Sequence, residues 1–180
     1  MQRRKFITGV GSLAAAAVAV TGTGAFTNVT ASRNVDVAVA DDASAYLRLE
    51  GTGGANSEYV TDDGNGGTLS IDLDASNATG GGGDGVNPDA VTQIDDLFHI
   101  ENQGTQEVEV SLSKTGDNSS LVKFYKDGNA YDGDSIGSSP VTLGTGSSVT
   151  VSIEIDTVGE SVSDGDQLLG SVTFTATATN

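Results

Sequence analysis

The 180-residue chain has no cysteine, no tryptophan, two prolines, a single histidine and eight basic residues against 25 acidic ones. The lack of cysteine excludes a disulfide framework, a thiol nucleophile, an iron–sulfur cluster and a cysteine-ligated zinc site. Such a chain is held by its core alone. The shortage of Lys and Arg excludes ordinary nucleic-acid binding, which needs cations to neutralise phosphates. It also argues against docking on an anionic lipid surface. The 25 acidic residues leave paired carboxylates for glycoside chemistry open, but the aromatic platforms that usually accompany them are scarce, with five Phe and four Tyr.

Long hydrophobic runs are missing too. The longest apolar stretch, from about Val10 to Val20, is interrupted by Gly11 and Ser12. It is too short for a membrane span of about 20 residues. Arg3, Arg4 and Lys5 precede it, and small residues ending at Ala25 follow it. A charged start, a short apolar middle and a small-residue end describe an export signal over residues 1–25, cleaved near Ala25. Arg3 and Arg4 followed by Phe6 and Ile7 resemble the twin-arginine signature, whose pathway carries folded proteins. The expected partners are therefore an export translocon and a signal peptidase. No stable membrane span is expected in the mature chain of residues 26–180, a single domain.

Removing residues 1–25 takes away three of the eight basic residues and none of the acidic ones, leaving a net charge of −20. Few lysines, many aspartates and little aromatic content fit adaptation to molar salt. There the Debye length is about 3 Å, and self-repulsion is screened. The composition points to a salt-loving microbe, and the export signal to an extracellular or cell-surface location.

What the chain does have is alternation. Val35, Val37 and Val39 share a face, as do Leu47 and Leu49, then Leu69, Ile71 and Leu73. Val108, Val110 and Leu112 repeat the pattern. So do Val149, Val151, Ile153 and Ile155, and finally Val172, Phe174, Ala176 and Ala178. Period-two segments with polar residues between them are half-buried antiparallel strands. Asp127-Gly128 reads as a tight hairpin turn, and Gly144-Thr145-Gly146 as a divider between strands. The expected fold is all-β: an antiparallel sandwich, jelly-roll or immunoglobulin-like. Asn87-Pro88-Asp89, followed by Val91, Ile94 and Leu97 at helical spacing, predicts one short helix near 88–94 that runs into a strand at 96–102.

No catalytic residue is assigned. His99 lacks the partners that a triad or a metal site requires, and no Gly-x-Ser-x-Gly elbow is present. Phe98 and Ile100 are expected on one face of a strand, with His99 on the other. No cofactor is expected, apart from calcium as an alternative. Asp127, Asn129, Asp132 and Asp134 are calcium candidates, as are Asp62-Asp63-Gly64-Asn65 and Asp164-Gly165-Asp166, because clustered carboxylates in Gly-rich loops can supply six to eight oxygens. None completes an EF-hand loop, and the same residues are turn formers. Asn28, Asn77 and Asn118 each head an Asn-x-Ser/Thr glycosylation sequon.

Several stretches carry a resemblance: Gly22–Thr27, Val35-Asp36-Val37, Asp96–Thr105 and Leu168–Ala176. Together they resemble a family of exported haloarchaeal proteins characterised only as a domain of unknown function. More distantly, the Gly-Thr-x-Ala-Phe motif and the strand ending Ile-x-Asn-x-Gly resemble TasA/camelysin-type secreted fibre subunits. That resemblance implies a biofilm-matrix filament in which each subunit donates an N-terminal strand to the next. Here Phe26, Val29, Val35, Val37 and Val39 would be the donor anchors, and the partner would be the chain itself as a homopolymer. The same segment can equally be the first strand of its own sandwich. The expected function is a non-catalytic structural protein. The alternative is a monomeric envelope module that binds carbohydrate or calcium.

Overall fold

The computed structural model describes residues 33, 37–38, 40, 42, 45–61, 68–75, 77, 79–81, 83–127 and 131–179. Arg3, Arg4, Phe6, Ile7, Ala25, Phe26, Asn28, Val29, Val35, Val39 and Asn129 lie outside them, as does the Asp62–Asn65 loop. The chain divides into two compact units, Met1–Val37 and Ala38–Asn180. All elements below belong to the second unit.

Among the described residues nine strands follow in order: β1 (Leu47–Gly51), β2 (Val60–Thr61), β3 (Ser70–Ile71), β4 (Val91–Asn102), β5 (Val108–Thr115), β6 (Val122–Lys126), β7 (Val141–Leu143), β8 (Ser148–Asp156) and β9 (Ser171–Ala178). Every pairing is antiparallel. One sheet has the order β1-β4-β8-β6 and the other β7-β5-β9, while β2 and β3 form a small separate ribbon. This is the expected all-β sandwich.

Alternation explains the layering. Phe98 and Ile100 of β4, Val151, Ile153 and Ile155 of β8, and Val122 and Phe124 of β6 line the inner face of the larger sheet. Val110, Leu112, Val141 and Leu143 answer them from β5 and β7. Phe174 of β9 joins the layers, meeting Phe98 edge-on at 5.8 Å and Phe124 at 6.4 Å between ring centroids. Burial of each such side chain contributes about 1.5–3 kcal/mol.

The helix expected near 88–94 is absent: Val91–Asn102 is one continuous strand. Asp89 adopts φ 53°, a left-handed conformation that ends a turn and starts no helix. The buried Thr157 hydroxyl holds that turn: it lies 2.9 Å from the carbonyls of both Asn87 and Ala90, which share its single hydrogen, and it accepts from Ala90 N at 3.0 Å. Gly159 N bonds the Asp89 carboxylate at 2.9 Å. The helical spacing of Ile94 and Leu97 comes instead from an irregularity in β4. Ile94 pairs with Ile153 and Phe98 with Val151, so β4 carries two more residues than β8 between these pairs, and Asp96 takes φ 52°. Among the described residues the only helical turns are 3-10 segments, Ala55–Tyr59 and Ser119–Leu121.

Of the expected Asp127-Gly128 turn, Gly128 lies outside the described residues. Asp127 does turn the chain, with φ 62°, but β6 pairs with β8, and the next strand, β7, belongs to the other sheet. The segment between them returns to β6, where Ile136 N donates to Phe124 O at 2.8 Å.

Candidate functional site

Sheet edges are where a sandwich is open to partners, because unpaired N–H and C=O groups there can template another strand. The four edges here are treated differently. At β1, Leu49 N donates outward to Asp42 O at 2.9 Å, and the Asp42 carboxylate accepts from Leu69 N at 2.8 Å. At β6, the Ile136 contact covers the strand. The β7 edge is only three residues long. The β9 edge is eight residues long, and among the described residues no strand pairs with its outer side.

Beside the end of β9 lies a cleft of about 460 Å3, whose walls include Tyr46, Leu47, Asn102, Val108, Ala176 and Ala178. Ala176 and Ala178 stand opposite Val110 and Val108, so they point to the core side, yet both are exposed. Their methyl groups are too small to close the gap to Tyr46, which is itself 84% exposed. The opposite face of β9 carries Ser171, Thr173, Thr175 and Thr177, set against Thr115, Ser113, Ser111 and Glu109 of β5. In so acidic a chain this face is dominated by hydroxyls.

Asn102 builds the floor of the cleft. It is 2% exposed, and its side chain is fully used. The amide donates to Gln106 O at 2.7 Å and to Leu143 O at 3.0 Å, and its oxygen accepts from Gly104 N at 3.0 Å. Its backbone bonds Ser147 O and Gly146 N. One side chain therefore ties the β4–β5 turn to the β7–β8 turn, and so one sheet to the other. Gly104 sits so close that a Cβ would lie 3.1 Å from the Asn102 oxygen. The run Ile100-Glu101-Asn102-Gln103-Gly104 carries this signal in the sequence. Reading Asn102 as the end of a polar–apolar strand missed it.

The outer face of the larger sheet holds the expected and unexpected polar residues together. Phe98 and Ile100 point inward as expected, and His99 points outward, with Nδ1 3.1 Å from the Thr150 hydroxyl. Arg48 pairs with Glu50 and, at 2.9 Å, with Glu101. Farther along, Glu154 receives Gln93 at 2.7 Å, Tyr125 at 3.4 Å and Lys123 at 3.5 Å. Tyr131 donates to Asp95 and meets Tyr125 edge-on at 5.4 Å. Burial, then the Asp95 hydrogen bond, pushes the Tyr131 phenol well above the usual tyrosine range. Burial, then the Glu154 charge, raises Tyr125. The Asp95 hydrogen bond and the Tyr125 ring contact pin Tyr131 onto the sheet.

Among the described residues the acidic loops do not converge. Asp132, Asp134, Asp164 and Asp166 are exposed, and Asp166 accepts from Ser163 N at 2.8 Å as a turn former. Among the described residues no group of three or more His, Asp or Glu is placed to hold a metal ion. Asp166 instead shares a polar cleft of about 360 Å3 with Asp117, Asn118 and Gln167. Its base is a close approach of two backbones. A Cβ on Gly116, which has φ 120°, would lie 2.9 Å from Gly170 N and 3.0 Å from Leu168 O. Among the described residues no helix is long and apolar enough to cross a membrane. Val37, the one donor anchor that is described, is 89% exposed.

Residues 48–179 match a family described as a protein of unknown function, DUF1102. The match starts inside β1 and ends just past β9, so it takes in both sheets. No curated protein matches the chain.

Proposed function

We propose that this chain, which belongs to the DUF1102 family, is an exported, non-catalytic structural protein of a haloarchaeon. In this reading it sits at the cell surface or in a biofilm matrix and joins further copies of itself by strand donation, in the manner of TasA-type fibre subunits. The observation that carries the proposal is the β9 edge: eight residues long, unpaired among the described residues, beside a cleft whose core-side wall ends in two alanines. An incoming strand would saturate that edge with backbone hydrogen bonds and seat alternate side chains over Ala176 and Ala178. The donor is Phe26–Val39 of another copy, freed by cleavage near Ala25, with Phe26, Val29, Val35, Val37 and Val39 as anchors. The acidic composition supports the salt-rich setting.

The test is negative-stain microscopy of residues 26–180 in molar salt, beside a variant that begins at Ala40. Filaments from the longer chain and single particles from the shorter are expected. Monodisperse particles from both would refute polymerisation. If calcium also raised the unfolding midpoint, the chain would be a monomeric binding module instead.

A further inference from the structure

The chain carries two sequons among its described residues, headed by Asn77 and Asn118, and their surroundings differ in a way the sequence does not show. At Asn77 the recognition groups are spent internally. Its Nδ2 donates to the carbonyls of Asp74 and, at 2.7 Å, Gly83. Its Oδ1 accepts from Thr79 N at 3.1 Å and from the Thr79 hydroxyl. The side chain thus closes the 74–83 loop with both amide hydrogens. At Asn118 the side chain makes no bond to the turn it caps and none to any other described residue. The Ser120 hydroxyl is exposed and likewise has no partner among the described residues.

We infer that Asn118, and not Asn77, is the N-glycosylation site of this sandwich. The reaction joins Asn118 Nδ2 to the anomeric carbon of an oligosaccharide carried on a lipid phosphate. The bond from that carbon to the phosphate oxygen breaks, the lipid phosphate leaves with the electron pair, and the amide loses one proton. A glycosylated amide keeps a single hydrogen. At Asn77 that would forfeit one of two donated bonds and open the loop. At Asn118 it forfeits none. The cleft beside Asn118 presents Asp117, Asp166 and Gln167, whose oxygens accept hydrogen bonds from the hydroxyls of the first sugar.

The test uses the full chain purified from the organism that makes it, with peptide mass spectrometry across both sequons. A glycan on the Asn118 peptide and an unmodified Asn77 peptide are expected. Asn118→Gln should lower the intact mass by the glycan and leave the unfolding midpoint of the unglycosylated protein unchanged. Asn77→Gln should leave the glycan in place and lower that midpoint. Sugar on Asn77, sugar on both sites, or a bare Asn118 would each overturn the inference.

Discussion

Asn102→Ala offers the sharpest test of how the two sheets are joined. The substitution takes one donor from Leu143 O, which stands opposite Val108 in the β5–β7 ladder, and the lost bond costs about 0.5–1.5 kcal/mol. Gln106 O and Gly104 N lose their partners too, where water can reach them, and each costs a similar amount, about 0.5–1.5 kcal/mol. Together this gives about 3 kcal/mol, or more than a hundredfold in the folding equilibrium. Asn102→Asp should be worse at neutral pH, because a carboxylate would face two carbonyls that need donors. Protonation of that carboxyl restores one donor, so the Asp variant should recover part of its stability as pH falls. The assay is urea unfolding in molar salt, followed by far-UV circular dichroism with the slope checked for constancy. An alanine variant within about 0.5 kcal/mol of the parent would refute the assignment of Asn102 as the tie between the turns.

Four further outcomes follow from the packing and the charge. Gly116→Ala should destabilise by about 2 kcal/mol or more, since it combines a left-handed φ with a Cβ 2.9 Å from Gly170 N; thermal denaturation reads it. Phe174→Ala should cost about 3 kcal/mol in the same urea assay, because two aromatic contacts between the sheets are lost. Dilution from molar to millimolar salt should lower the melting temperature steadily, as screening of the net negative charge is withdrawn. Tyr125 and Tyr131 hold their protons more tightly in the folded chain than in the unfolded one, where the ordinary value is about 10. Their contribution is intact below that pH and lost as pH climbs through the folded values. Tyr131→Phe should therefore flatten the fall of stability above pH 10.

The strands with strict alternation, β5, β8 and β9, were legible because a period of two leaves only one way to bury an apolar face. The pattern failed where tertiary contacts set the backbone. Asn87-Pro88-Asp89 carries every local helix-start signal, yet the buried Thr157 hydroxyl, 70 residues from Asn87, holds it as a turn. The bulge in β4 counterfeits helical spacing; within it Asp96 N bonds the Ser152 hydroxyl, a contact that alternation alone does not announce. At the candidate site, the apolar face of β9 was readable. Its free edge was not, because which strands lie side by side depends on the whole topology. The split between Asn77 and Asn118 was hidden for the same reason: a sequon spells an acceptor, while its hydrogen bonds depend on the loop around it.

The order of strand pairing also has a consequence for timing. β5 finds its long partner only in β9, and β4 only in β8, so the ladders of both sheets close between segments far apart in the sequence. Such connectivity makes folding slow, because distant segments must meet before either ladder repays the entropy of closure. β9 follows every other described strand in the sequence. Its open edge therefore forms only once β5 has been met by a segment synthesised well after it.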